Sequence, residues 1–209
     1  MLRRSVLALL ALTAALPALG QEEPRKLSDE EIALINAVSA HNSQISTMQG
    51  RFLQIDTQGT RIEGTFYLQR PGKIRFRYNP PSREEILSIG QGFYVIDRKE
   101  KTQYAYPQDK VPLRQFLDEK IDLLNAGLVA ISQSETYLEL TLQDETPAGT
   151  VRVALVFDKD TQDLVQWVLT SPDGSELTFS LYDVEKGVDL PKSTFYLNIG
   201  DYNQIEQPT

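Results

Sequence analysis

The 209-residue chain has no cysteine, a single histidine, one tryptophan and two methionines. Without cysteine there is no disulfide framework, no thiolate-ligated zinc, no iron–sulfur cluster and no thiol nucleophile. A lipid-modified cysteine at a mature N-terminus is excluded as well. With His41 alone, a multi-histidine metal site is impossible, and a Ser-His-Asp triad would have to be built on that residue. Positive charge is scarce: 21 Lys and Arg against 29 Asp and Glu give a net charge of −8. Such a chain has no broad electrostatic footprint for nucleic acid, which is not an expected partner. There is no glycine-rich phosphate loop and no nucleophile elbow.

What is present is an ordinary globular composition, 41 % apolar and 24 % charged. The one long apolar run lies at the start. Met1–Gly20 reads as a secretory signal: Arg3 and Arg4 form the positive region, Val6–Leu16 the apolar region, and Ala18-Leu19-Gly20 the small-residue cleavage site. The run is too short to span a bilayer, which needs about 20 apolar residues. The expectation is cleavage after Gly20 and residues 21–209 as a single exported soluble domain, with a charge of −10, in the periplasm of a two-membrane bacterium.

Ser28-Asp29-Glu30-Glu31 has the form of a capping box, followed by Ile32, Ile35 and Val38 at helical spacing. The pattern predicts a helix over about 28–41. The period then changes to two. Arg61–Gln69 places Ile62, Gly64, Phe66 and Leu68 on one face. Ile74, Phe76 and Tyr78 alternate with Lys73, Arg75 and Arg77. Hairpin-spaced strands continue to residue 184, about ten or eleven in all, interrupted near 112–127. There Pro112 can open a helix with Leu113, Phe116 and Leu117 on one face. Residues 204–209 read as a tail. Hairpin-spaced strands of this kind make an antiparallel sandwich or barrel, mainly β with some α.

Catalytic candidates are weak, and no enzyme is expected. Glu84 and Glu85 are neighbours on a strand and point to opposite faces. Asp158–Asp163 lacks the central glycine and closing glutamate of a calcium loop, and reads as an acidic turn. No catalytic residue, metal site or cofactor is expected. The apolar sheet face is the informative feature. Its plain reading is a closed core, and a ligand cavity is the alternative.

Residues 64–81 read Gly-Thr-Phe-Tyr-Leu-Gln-Arg-Pro-Gly-Lys-Ile-Arg-Phe-Arg-Tyr-Asn-Pro-Pro. This resembles the Arg-Pro block of the periplasmic lipoprotein carrier family, LolA. Phe52-Leu53-Gln54 upstream and Ile86–Asp97 downstream match the family pattern in order. The closing segment, residues 195–200, lacks the family's proline. The related outer-membrane receptor, LolB, is itself a lipoprotein, so the lack of cysteine favours the soluble carrier. The resemblance implies a half-open antiparallel β-barrel of about 11 strands, with an N-terminal helix and a mid-chain helical insert as lid. It implies a monomer that takes lipoprotein acyl chains from an inner-membrane ABC transporter to an outer-membrane acceptor, LolB-like or unknown. By the same resemblance Arg70 is the lid latch, contacting lid backbone. Phe66, Leu68, Ile74, Phe76, Val95, Leu113, Phe116 and Leu117 are candidate acyl-chain contacts. The alternative is a LolA-like binding or sensor module for another amphiphile, such as a glycolipid or fatty acid. An envelope structural protein with a filled core is a further reading.

Overall fold

The computed structural model describes residues 26–112, 114–146 and 149–205, so the expected leader and Leu113 lie outside the described residues. Helix α1 spans Asp29–Gln44. Its capping box forms as the sequence predicts: the Ser28 side chain accepts from the Glu31 amide, and the Glu31 carboxylate accepts from the Ser28 amide. The helix runs three residues past His41, to Gln44, and the hydroxyls of Ser39 and Ser43 donate back to the carbonyls of Ile35 and Ser39.

Among the described residues, twelve strands form one sheet: β1 Thr47–Asp56, β2 Arg61–Gln69, β3 Lys73–Tyr78, β4 Glu84–Ile89, β5 Gly92–Asp97, β6 Thr102–Pro107, β7 Leu128–Gln133, β8 Tyr137–Thr146, β9 Gly149–Asp158, β10 Leu164–Thr170, β11 Glu176–Lys186 and β12 Asn203–Gln204. Their spatial order is β12-β6-β5-β4-β3-β2-β1-β11-β10-β9-β8-β7. Neighbours pair antiparallel except β12, which runs parallel to β6. The chain therefore forms two meanders joined in the middle where β1 meets β11, and the sheet stays open. This is the mainly β, half-open architecture expected. The twelfth strand ends on Gln204, the first residue of the segment read as a tail.

Alternation gives the sheet two faces. The inner face carries an aromatic layer. Phe52 meets Phe76 edge-on with ring centroids 5.1 Å apart, and Trp167 stacks on Phe179 at 4.9 Å. Two glycines make room for it. Phe52 lies opposite Gly64 and Phe66 opposite Gly50. A Cβ on Gly64 would sit 2.5 Å from the Phe52 ring, and one on Gly50 2.8 Å from the Phe66 ring. Helix α1 covers this layer with Ile35 and Val38.

The segment between β6 and β7 is not the helix that the Pro112 pattern predicts. Its described part holds two short 3-10 turns, Gln108–Lys110 and Arg114–Leu117. The reason lies in its carbonyls and amides, which are used elsewhere. Phe116 O and Leu117 O accept from Arg70 and from the Gly72 amide, and the Ile121 amide goes to the Ser43 hydroxyl. An α-helix would need those same groups for its own ladder.

Candidate functional site: a covered apolar face with a single buried arginine

The cover over the inner face has two parts, α1 and the looped insert. Ser39 and Ser43, one turn apart on α1, tie them together by accepting from the amides of Leu123 (3.3 Å) and Ile121 (2.9 Å). The insert buries Phe116, Leu117, Ile121 and Leu123. Arg114 reaches across to Asp144 on β8.

Arg70 follows β2 on the inner face and is 9 % exposed. Its Nε donates to Phe116 O at 2.8 Å, in the insert. Its Nη1 donates to Asn42 O at 3.0 Å and to Ile45 O, at the end of α1. Both belong to the carbonyls that a helix end leaves without an in-helix partner, although Asn42 O also accepts from the Ile45 amide at 3.3 Å. Its own amide donates to Ser46 O at 2.8 Å. Among the described residues no carboxylate pairs with it. Burial pulls its guanidinium down to about 10, so it stays charged at neutral pH. One side chain thus holds both halves of the cover through neutral partners only.

The other candidate residues are placed as follows. Phe66, Phe76 and Phe116 lie in the main core with Ile74 packed against them, and Leu68 and Leu117 are buried. Val95 is half-buried in register with Ile86, whose partner on β3 is Phe76. All of these share the covered face. None lines a groove of about 530 Å³ whose residues Glu139, Val156, Gln166 and Ser180 are in register on the outer face. With the cover in place, the inner face is packed.

The sequence reasoning missed the outer face. There Leu87, Ile96, Leu190 and Phe195 form a second core, with Tyr67, Tyr94 and Leu197 packed against it. The segment after β11 crosses that face as a strap. Arg75, 3 % exposed, donates to Glu85 Oε1 at 2.5 Å and to Thr194 O in the strap at 2.5 Å. Glu85 is fully buried, with Arg77 and Arg98 at 3.7 and 3.6 Å from its other oxygen. Burial lowers the Arg75 value, Glu85 opposes this, and Arg77 adds to it. Gln103 also holds the strap, donating to Ile199 O and Tyr202 O. The signal was present: Tyr67, Leu87 and Tyr94 give β2, β4 and β5 large apolar residues on a second face.

An open antiparallel sheet with its apolar face shut by a helix and a loop defines a class, the covered half-barrel. A solved structure of an uncharacterised conserved protein from Thermus thermophilus shares this fold. Its TM-score is 0.50 at 9 % identity, covering 84 % of this chain and 99 % of that one. Within the class the family is specific: the model described as outer membrane lipoprotein carrier protein LolA matches residues 43–198, and the chain belongs to that family. A protein of Methylococcus capsulatus named outer-membrane lipoprotein carrier protein is 31 % identical over 139 residues, covering 63 % of this chain and 61 % of that relative. One of Alkalilimnicola ehrlichii with the same name is 28 % identical over 163 residues, covering 74 % and 69 %. The chain thus spans about three fifths of the first relative's length.

Proposed function

We propose that this protein is a periplasmic carrier that takes the acyl chains of lipoproteins from an inner-membrane ABC transporter and hands them to an acceptor at the outer membrane. The observation that carries this reading is Arg70: a buried cation whose side chain, among the described residues, bonds only to backbone carbonyls of the two covering segments. Such bonds can be exchanged for water without stranding a partner charge. Family membership supports the reading, as do the names of the relatives. Among the described residues no helix is long and apolar enough to cross a membrane.

The energetics explain the need for a cover. Three acyl chains with about 45 methylenes cost roughly 35 kcal/mol to expose, at about 0.8 kcal/mol each. A carrier must shield much of that surface and still release it. When the Arg70 bonds break, α1 and the insert swing off the aromatic layer. Phe66, Leu68, Ile74, Phe76 and Val95 then face the chains from the sheet, and Phe116 and Leu117 from the insert, with Leu113 beside them in sequence. Empty, the same side chains pack on one another, which keeps the apolar face from water between loads.

The test is a release assay. Purified residues 21–209, with Met1–Gly20 removed as a leader, are added to energised spheroplasts making a tagged outer-membrane lipoprotein. A soluble one-to-one complex in the supernatant is the expected result. Its absence beside a working carrier would reject lipoprotein as the cargo. Lipid extracted from the protein would then decide whether another amphiphile takes its place.

A further inference from the structure

His41 and the acidic turn between β9 and β10 are 122 positions apart, yet the fold joins them. His41 Nε2 donates to Asp163 Oδ1 at 2.7 Å. Lys186 Nζ, at the end of β11, donates to both oxygens of the same carboxylate at 2.7 Å. The next helical residue repeats the contact: Asn42 Nδ2 donates to Gln162 O at 2.8 Å. The turn is set to receive them. Asp158 Oδ1 accepts from the amides of Asp160 and Thr161, and Gln162 takes a left-handed backbone with φ of +61°. The charged groups around this clasp are His41, Lys186, Asp158, Lys159 and Asp160.

The two fastenings of α1 reach the same helical end from different strands. Arg70 extends from β2, whereas Asp163 sits between β9 and β10, and β1 and β11 separate them. Both nonetheless reach one residue: Asn42 O accepts from Arg70, and Asn42 Nδ2 donates to Gln162 O. The insert is bonded on the Arg70 side as well, through Phe116 O and Leu117 O.

We propose that Asp163 is a positioning residue for the cover: its clasp on His41 is the hinge about which α1 turns, so the apolar face opens along β2 and β3 while the β9–β10 side stays attached. This rests on the reading of α1 and the insert as a cover that moves.

The experiment follows amide exchange in the last turn of α1, residues 41–44, and uptake of an apolar fluorescent probe, 1-anilinonaphthalene-8-sulfonate, by the purified protein. Arg70→Leu alone should speed probe uptake while residues 41–44 stay protected. Adding Asp163→Ala should raise their exchange about tenfold, the size of one charge-assisted hydrogen bond. His41→Ala removes the same bond from the helix side and should reproduce this; Asp163→Asn, which keeps an acceptor, should largely restore protection. Asp163→Ala alone should leave probe uptake within about twofold of wild type, since Arg70 still closes the β2 side. Two results would overturn the hinge: faster uptake in Asp163→Ala than in Arg70→Leu, or unchanged exchange in the double variant. If no variant takes up probe, the face does not open and the hinge falls; if probe enters and the exchange pattern holds but no lipoprotein is bound, the hinge stands and the carrier reading falls.

Discussion

Arg70 and Arg75 are five positions apart, lie on opposite faces of the sheet, and are both buried, yet they are held in opposite ways. Arg75 has a carboxylate partner, Glu85, that is fully buried, and it fastens the strap through Thr194 O. Arg70 has only carbonyls, drawn from α1 and the insert. A paired charge strands its partner when it leaves, whereas a cation on neutral dipoles strands nothing charged. In the proposed reading, the outer face therefore stays closed and the inner face opens.

The largest expected effect tests the outer side. Arg75→Leu leaves Glu85 buried beside only Arg77 and Arg98, and should cost about 3–5 kcal/mol in urea unfolding. A loss under about 1 kcal/mol would mean that those two neighbours suffice and that the arginines do not differ in kind. The next variant sharpens the point. Arg75→Met with Glu85→Leu removes both charges and should recover most of that stability, because an apolar pair of similar volume is often as good as a buried ion pair. Failure to recover would assign the loss to the Thr194 and Tyr196 carbonyl contacts of the strap instead.

On the inner side, Arg70→Leu should change global stability by only about 1 kcal/mol, since lost hydrogen bonds are offset by relief of a desolvated charge. The effect should be local. Amide exchange should rise in the insert, residues 114–123, and an apolar probe should enter faster, with the unfolding midpoint nearly unmoved. A large fall in midpoint with no change in uptake would make Arg70 a structural arginine like Arg75, and the comparison would collapse.

The sequence shows these two faces unequally. The capping box at Ser28 and the period-two strands are local signals, and α1 and eleven of the twelve strands follow from them. Arg70 is readable because alternation puts it beside Phe66 and Leu68, and the Arg-Pro block resembles a known family. The insert misleads because Pro112 and its apolar neighbours favour a helix locally, whereas distant groups on Arg70, Gly72 and Ser43 take its backbone. The strap and the His41–Asp163 clasp depend on pairings more than a hundred residues apart, which no periodicity encodes.

The smallest expected effect concerns acid, and it separates the two fastenings of α1 from each other. Burial pushes the Asp163 carboxyl up, but hydrogen bonds and charge from Lys186 and His41 outweigh it and hold it below the ordinary value. A depressed carboxyl contributes stability that is complete above its unfolded value and is lost as pH falls through the folded one. The clasp should therefore be intact from pH 7 down to about 4 and fail only in stronger acid. Arg70, at about 10, keeps its charge across that whole range, so the β2 side does not respond. Carboxyl-carbon NMR should show Asp163 titrating below the ordinary aspartate value, with exchange at residues 41–44 rising in the same acid step. In Asp163→Asn that step should vanish while exchange in the insert stays as in wild type. If the insert loosened in step with the helix end, the two fastenings would be one cooperative lock, and the difference between the inner and outer arginines would lie in the partners alone rather than in which segment each releases.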